Sequence, residues 1–283
     1  MPSMKAIKRR IGSVGSTQQI MKAMNLVAAS KLQRAKAQLS LIRPLYSNIK
    51  SVMDGIRSGA DLTDSIYFEK REAKNIAYLI VSGDRGLCGG YNLNLCKEAF
   101  ALIDGSGAAE KIVTVGSKGG DYFRRRGKNI VKSYSGAAEA EAYGNALAVG
   151  EYLLDMYKSG EVDEVYIAFT RFETILSQKP ETLRLLPLGG GEKPEGPSGF
   201  MGYDPDVNTF LDHAVPMYIN TIIYGAMVES NVCEQASRMT SMDAAARNAE
   251  EIIDTLTLVY NRKRQGAITQ EITEIVSGAN AIQ

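Results

Sequence analysis

The chain has 283 residues, 45% of them apolar and 23% charged, with a net charge of +1. This length accommodates one large domain or two smaller ones, and the composition is that of an ordinary soluble protein. No apolar run approaches the ~20 residues that a spanning helix needs, so no direct membrane insertion is expected. The three cysteines, Cys88, Cys96 and Cys233, form neither a disulfide framework nor a CxxC pair, which points to a reducing compartment. The start is basic but lacks the apolar core and small-residue cleavage site of a secretory signal. Charge is unevenly placed. Up to Asp54 there is no Asp or Glu, against ten Lys and Arg; from Leu211 onward there are nine acids and five bases.

The first segment, residues 1–58, carries one apolar stripe. Alternating strides of four and three visit Ile7, Ile11, Val14, Gln18, Met21, Asn25, Ala28, Leu32, Ala35, Leu39, Ile42, Tyr46, Ile49, Met53 and Ile56, and thirteen of these fifteen are apolar. A sustained seven-residue repeat is the seam of a coiled coil. Gln18 and Asn25 interrupt the seam, and polar residues there can set register at a cost in stability. Pro44 should bend the helix or thin its hydrogen bonding locally. Fifty helical residues reach roughly 75 Å, more than a globular domain of this size can bury.

The middle segment, residues 75–200, changes pattern. "NIAYLIVSG" reads as a buried strand, "NLNLCKEAFALID" (92–104) as a helix, "KIVTVG" (111–116) as a strand and "SKGGDYFRRRG" as a short helix ending at Gly127. Residues 137–160 read as a helix; "EVYIAFTRFET" and "LSQKPETLRLLPL" read as strands. This alternation predicts an α/β unit, Rossmann-like, with a largely parallel sheet. The glycine-rich stretch 188–199 is a loop or hinge leading to the last helix.

The last segment, residues 208–283, repeats the seam through Val228, Val232, Gln235, Met239, Met242, Ala246, Ala249, Ile253, Leu256 and Tyr260. The apolar set then resumes at Ile268, Ile272, Ile275, Ala279 and Ile282 after 4-4 strides through Arg264. Such a stutter unwinds the supercoil, so the last ~20 residues should run as a straighter, single helix. The two terminal helices most simply pair antiparallel, the basic one along the mildly acidic one.

One stretch invites a chemical reading. In "SGDRGLCGGYN" (82–92) four glycines follow a strand and precede a helix, the context of a phosphate cradle. The spacing G-x-x-G-x-x-G-G is not the dinucleotide fingerprint, and no G-K-[ST] follows. A tight turn that lets backbone approach a helix of the chain or a partner accounts for the glycines equally. Arg85, three residues before Cys88, suggests a lowered thiol pKa. The single histidine, His213, excludes most triads and His-based metal sites, and is expected at the surface. "FRRRG" (123–127) reads as a solvated helix end. No catalytic residue, cofactor or metal is expected. Nucleic-acid binding by the basic arm is disfavoured, since the seam runs through it and no aromatics interleave with its charges.

Residue identities go further. "STQQIMKAMNLVAASKLQRA" (16–35), "GDRGLCGGYNLNL" (83–95) and "SRMTSMDAAARNAEEIIDTLTLVYNRKRQGAITQEITEIVSGANA" (237–281) closely resemble the γ subunits of rotary proton-translocating ATP synthases, bacterial members in particular. Neither an N-terminal extension nor a cysteine-bearing insertion of the chloroplast type is expected. The resemblance implies a non-catalytic rotor: a long antiparallel coiled coil of the two terminal helices within a hexamer of α and β subunits, and a central α/β domain beside the ε subunit and the c-subunit ring. Proton-driven rotation would cycle the catalytic β subunits. The location implied is peripheral, on the cytoplasmic face of the bacterial plasma membrane.

Carried over by position, the resemblance implies that Arg264 and Gln265 contact a loop of β, with Thr269 and Glu271 on the same helix. Arg238 and Met24 would lie at the rotor–stator boundary and the helix crossing. Arg9 and Lys22 would face an acidic loop of β, as would the glycine turn through Arg85 and Cys88. Tyr203 and Asp204 would meet ε and the c ring. Gly266 departs from the alanine common at its position.

Overall fold

The computed structural model describes residues 3–59, 65–69, 71–136, 142–188 and 206–282. In chain order the elements are α1 (Met4–Gly59), β1 (Asn75–Val81), α2 (Tyr91–Ser106), β2 (Ala109–Val115), α3 (Ser117–Arg124), β3 (Ile130–Tyr134), α4 (Ala142–Lys158), β4 (Glu164–Phe172), β5 (Gln178–Leu186) and α5 (Val207–Ile282). The chain divides into two compact units, residues 29–238 and the paired ends 1–28 with 239–283. Tyr203 and Asp204 lie outside the described residues, as does most of the loop expected at 188–199.

The 29–238 unit is built on a five-stranded sheet of order β3-β2-β1-β4-β5. The first four strands are parallel, and β5 closes one edge antiparallel to β4. The mixed α/β fold and largely parallel sheet are as the alternating pattern predicts. β1 is central and buried on both faces, which is why it reads as a continuous apolar run. Its side chains alternate between two cores. Ala77, Leu79 and Val81 join Val149 and Leu153 of α4 and Ile219 and Ile223 of α5. Ile76, Tyr78 and Ile80 join Leu95 and Ala99 of α2 and Phe123 of α3. α1 remains helical through Pro44. In this unit its seam residues Leu32, Ala35, Leu39, Ile42, Ile49, Met53 and Ile56 are all buried.

In the 1–28/239–283 unit the two helices pair antiparallel. Gln18 Nε2 donates to Ala246 O (3.3 Å) and to Glu250 Oε2 (3.3 Å), and Asn25 Nδ2 donates to Met239 O (2.9 Å). Moving up one helix therefore moves down the other. The two polar interruptions of the seam are its amide-to-backbone ties. Met242, Ala246 and Ala249 are buried, and Ile253, Leu256 and Tyr260 are half-buried. From Ile268 to Gly278 every residue is exposed, so the helix runs on single beyond the stutter as expected.

Candidate functional site

The glycine turn leaves the carboxyl end of β1, beside β4. In an open sheet of this order that junction is the topological switch point, the usual place for a ligand. Here α5 occupies it. At the end of β4, Ser230 Oγ accepts from Thr170 N (3.4 Å), Cys233 Sγ donates to Thr170 O (3.3 Å), and Glu229 Oε1 accepts from Phe172 N (3.1 Å). At the end of β1, Glu234 packs onto Gly83, where a Cβ would lie 2.8 Å from its carboxylate. The backbone that the glycine admits is thus met by the chain's own helix.

The amides that a phosphate would need are also taken. Gly83 N donates to Asn92 Oδ1 (2.8 Å). At the start of α3, Ser117 N donates to Asp84 Oδ1 (2.9 Å) and Gly119 N to Ser82 Oγ (2.8 Å). Gly116 stands at φ 92° with Ser82 O 2.1 Å from where a Cβ would be, so only glycine passes there. The carboxylate and hydroxyl of Asp84 and Ser82 fill a helix N-terminus that would otherwise attract an anion.

Arg238 is buried together with Glu234, their side chains 10% and 11% exposed. Its guanidinium pairs with Glu234, donates to Gln235 Oε1 (3.1 Å) and reaches Gly86 O (3.3 Å). The resemblance places Arg238 at a partner boundary; within this chain it faces the glycine turn. Cys88 is buried too, and the expectation of a lowered thiol pKa is overturned. Burial pushes the Cys88 thiol up, the neighbouring Glu234 carboxylate pushes it further, and the opposing Arg238 effect is smaller. Arg85 is exposed, as is Leu87, which adopts φ 62°. Sequence reasoning missed Leu87 and Glu234. The i,i+4 spacing of Glu234 and Arg238 was a readable signal; the φ of Leu87 was not.

The other candidate residues are dispersed. Arg264, Gln265, Thr269 and Glu271 are exposed on α5, where Thr269 Oγ1 donates to Gln265 O (2.9 Å). Met24 is half-buried, while Arg9 and Lys22 are exposed. His213 is exposed. In the basic cluster Arg126 stacks over Tyr122, 3.6 Å from the ring centre, so this helix end is solvated with one cation resting on an aromatic. A groove of about 910 Å³ lies between α1, α5 and the β4–β5 hairpin. Its cations Arg43, Arg171 and Lys179 already pair with Glu229, Glu181 and Glu173. Among the described residues no cluster of three His, Cys, Asp or Glu could hold a metal, and no helix is long and apolar enough to cross a membrane.

Known proteins place this architecture. The family model described as ATP synthase matches residues 3–282. The "ATP synthase gamma chain" of Desulforamulus reducens is 42% identical over 285 residues, all of both chains. The "ATP synthase gamma chain, sodium ion specific" of Acetobacterium woodii is 39% identical, over 98% of this chain and 97% of its own. A chain of the Euglena gracilis mitochondrial ATP synthase OSCP/F1/c-ring structure shares the fold at a TM-score of 0.73 and 16% identity, over 99% of this chain and 94% of that one. The chain belongs to the ATP synthase gamma chain family.

Proposed function

We propose that this protein is the central rotor stalk of an ATP synthase, non-catalytic itself, that couples proton-driven rotation of a c-subunit ring to conformational cycling of catalytic β subunits. Its partners on this reading are the α and β subunits, the ε subunit and the c ring, and its place is peripheral, at the cytoplasmic face of the bacterial plasma membrane. The observation that carries the reading is the full-length kinship with gamma chains, joined to an antiparallel helix pair whose last turns are bare. Ile268, Ile272 and Ile275 are 48%, 56% and 71% exposed, an apolar face that the chain does not cover. The glycine turn supports a non-catalytic part, because its cradle is filled by the chain's own side chains.

Residues 1–58 and 208–283 supply the axle and residues 75–200 the foot. Arg264, Gln265, Thr269 and Glu271 bear on β, with Met24 and Arg85 as further positions of that contact and the buried Arg238 and Cys88 behind it, inside the chain; Tyr203 and Asp204 belong to the contact with ε and the c ring. The stalk biases each β among open and closed states through contacts worth a few kcal/mol each, since a ligand or partner shifts an equilibrium only by its differential affinity.

The test is reconstitution with α and β subunits, followed by ATP-driven ion pumping in membrane vesicles. The chain should co-purify with α and β, and Arg264→Ala with Gln265→Ala should lower coupled turnover at unchanged assembly. Normal turnover in the double variant removes these two residues from the contact, and failure to co-purify removes the stalk reading. Pumping abolished by a protonophore supports the proton; pumping that requires Na+ overturns it.

A further inference from the structure

Leu87 combines two costs. Its φ of 62° is unfavourable for any residue with a Cβ, and its apolar side chain is 61% exposed, so no burial within the chain offsets the strain. Strain of this kind persists only where the surroundings over-determine the backbone, and it concentrates at contact sites. The surroundings here do so. Just before Leu87, Arg85 O accepts from Asn92 Nδ2 (3.3 Å) and Gly86 O accepts from Arg238 Nη2 (3.3 Å); just after it, Tyr91 N donates to Cys88 O (3.2 Å). The Arg238 guanidinium is itself fixed by the buried Glu234 carboxylate, for which Gly83 leaves room.

We propose that the Glu234–Arg238 pair is a clamp that sets the shape of the glycine turn, and that Leu87, held out by this clamp, is the side chain the turn docks into a partner. The thiol of Cys88 turns inward and takes no part. With Arg85 also exposed two residues earlier, the matching surface is an apolar pocket edged by carboxylates. On the stalk reading given above, on which this assignment rests, that surface belongs to a β subunit. Arg238 then acts as a positioning residue, shaping the contact through Gly86 without touching the partner.

The test uses the full chain, free and in the complex with α and β, with three variants. Arg238→Gln should speed maleimide labelling of Cys88, located by peptide mass, about tenfold, the effect of losing a charge-assisted hydrogen bond on a local opening. Arg238→Lys should fall between, keeping the charge without the fork. Leu87→Asn keeps a residue that tolerates left-handed backbone. It should leave Cys88 protected and the Tm equal or higher, while lowering coupled pumping several-fold. A merely structural role for Leu87 predicts the reverse, a lower Tm at normal coupling. Labelling unchanged in both Arg238 variants overturns the clamp. Normal coupling in Leu87→Asn overturns the docking. If the chain does not co-purify with α and β, the stalk reading fails, and the labelling and Tm results still decide the clamp.

Discussion

Gly83 stands where the central strand meets α5. A methyl there would sit 2.8 Å from the Glu234 carboxylate, and Arg238 leaves that carboxylate little freedom to retreat. Gly83→Ala should therefore destabilise the chain by about 1–3 kcal/mol, the usual cost of overpacking a filled site. Urea denaturation with a fluorescent or circular-dichroism readout measures it, and a variant as stable as its parent would mean that Glu234 swings aside. That a glycine was needed after β1 is readable in the sequence, as is the reason it is not a nucleotide fingerprint. What the glycine admits is not readable, because Glu234 lies 151 positions away. Cys88 shows the same limit. Its neighbour Arg85 argues for a reactive thiol, but that side chain is exposed, and burial beside Glu234 decides the matter. Local sequence supplies the charge three residues away and omits the carboxylate that packing brings closer.

At the scale of elements more is legible, since a period is redundant and a single contact is not. The fifteen seam positions of α1 are all buried or half-buried, Gln18 and Asn25 included. The strand order and the antiparallel β5 are less legible, because they depend on pairings between segments far apart. Asn25 shows what the polar interruption does: its amide reaches Met239 O on the facing helix. Asn25→Ala should cost about 0.5–1.5 kcal/mol, the net worth of one hydrogen bond, and loosen the register of the pair. Disulfide trapping between cysteines placed on the two helices in and out of register reads the second effect. Trapping confined to the native register in the variant would show that packing alone holds it. Gly266 offers the opposite change. Nothing lies within 4 Å of where its Cβ would be, so Gly266→Ala should stiffen the helix by about 1 kcal/mol without a clash, seen as slower amide exchange around it.

Taken as a whole molecule, the chain mixes two kinds of support. The 29–238 unit has a sheet covered on both faces, with α5 residues such as Val215, Ile219, Ile223, Met227 and Val232 almost wholly buried. The 1–28/239–283 unit has a single two-helix seam, half-buried at many of its positions, and its last turns are bare. Backbone hydrogen bonds open locally at a cost that follows burial. Amide exchange along the one helix α5 should therefore fall into three grades in the free chain: slowest at 211–236, intermediate at 242–260 and fastest at 268–278. Uniform exchange along α5 would show that its stability is intrinsic to the helix and independent of burial. The same measurement on the complex with α and β separates folding from function. The 268–278 segment, bare in the chain, should gain protection if its apolar face is a contact surface, whereas the buried positions of 211–236 have little to gain. Protection unchanged at 268–278 in the assembled complex would leave Ile268, Ile272 and Ile275 uncovered there as well, and would remove them from the proposed coupling path.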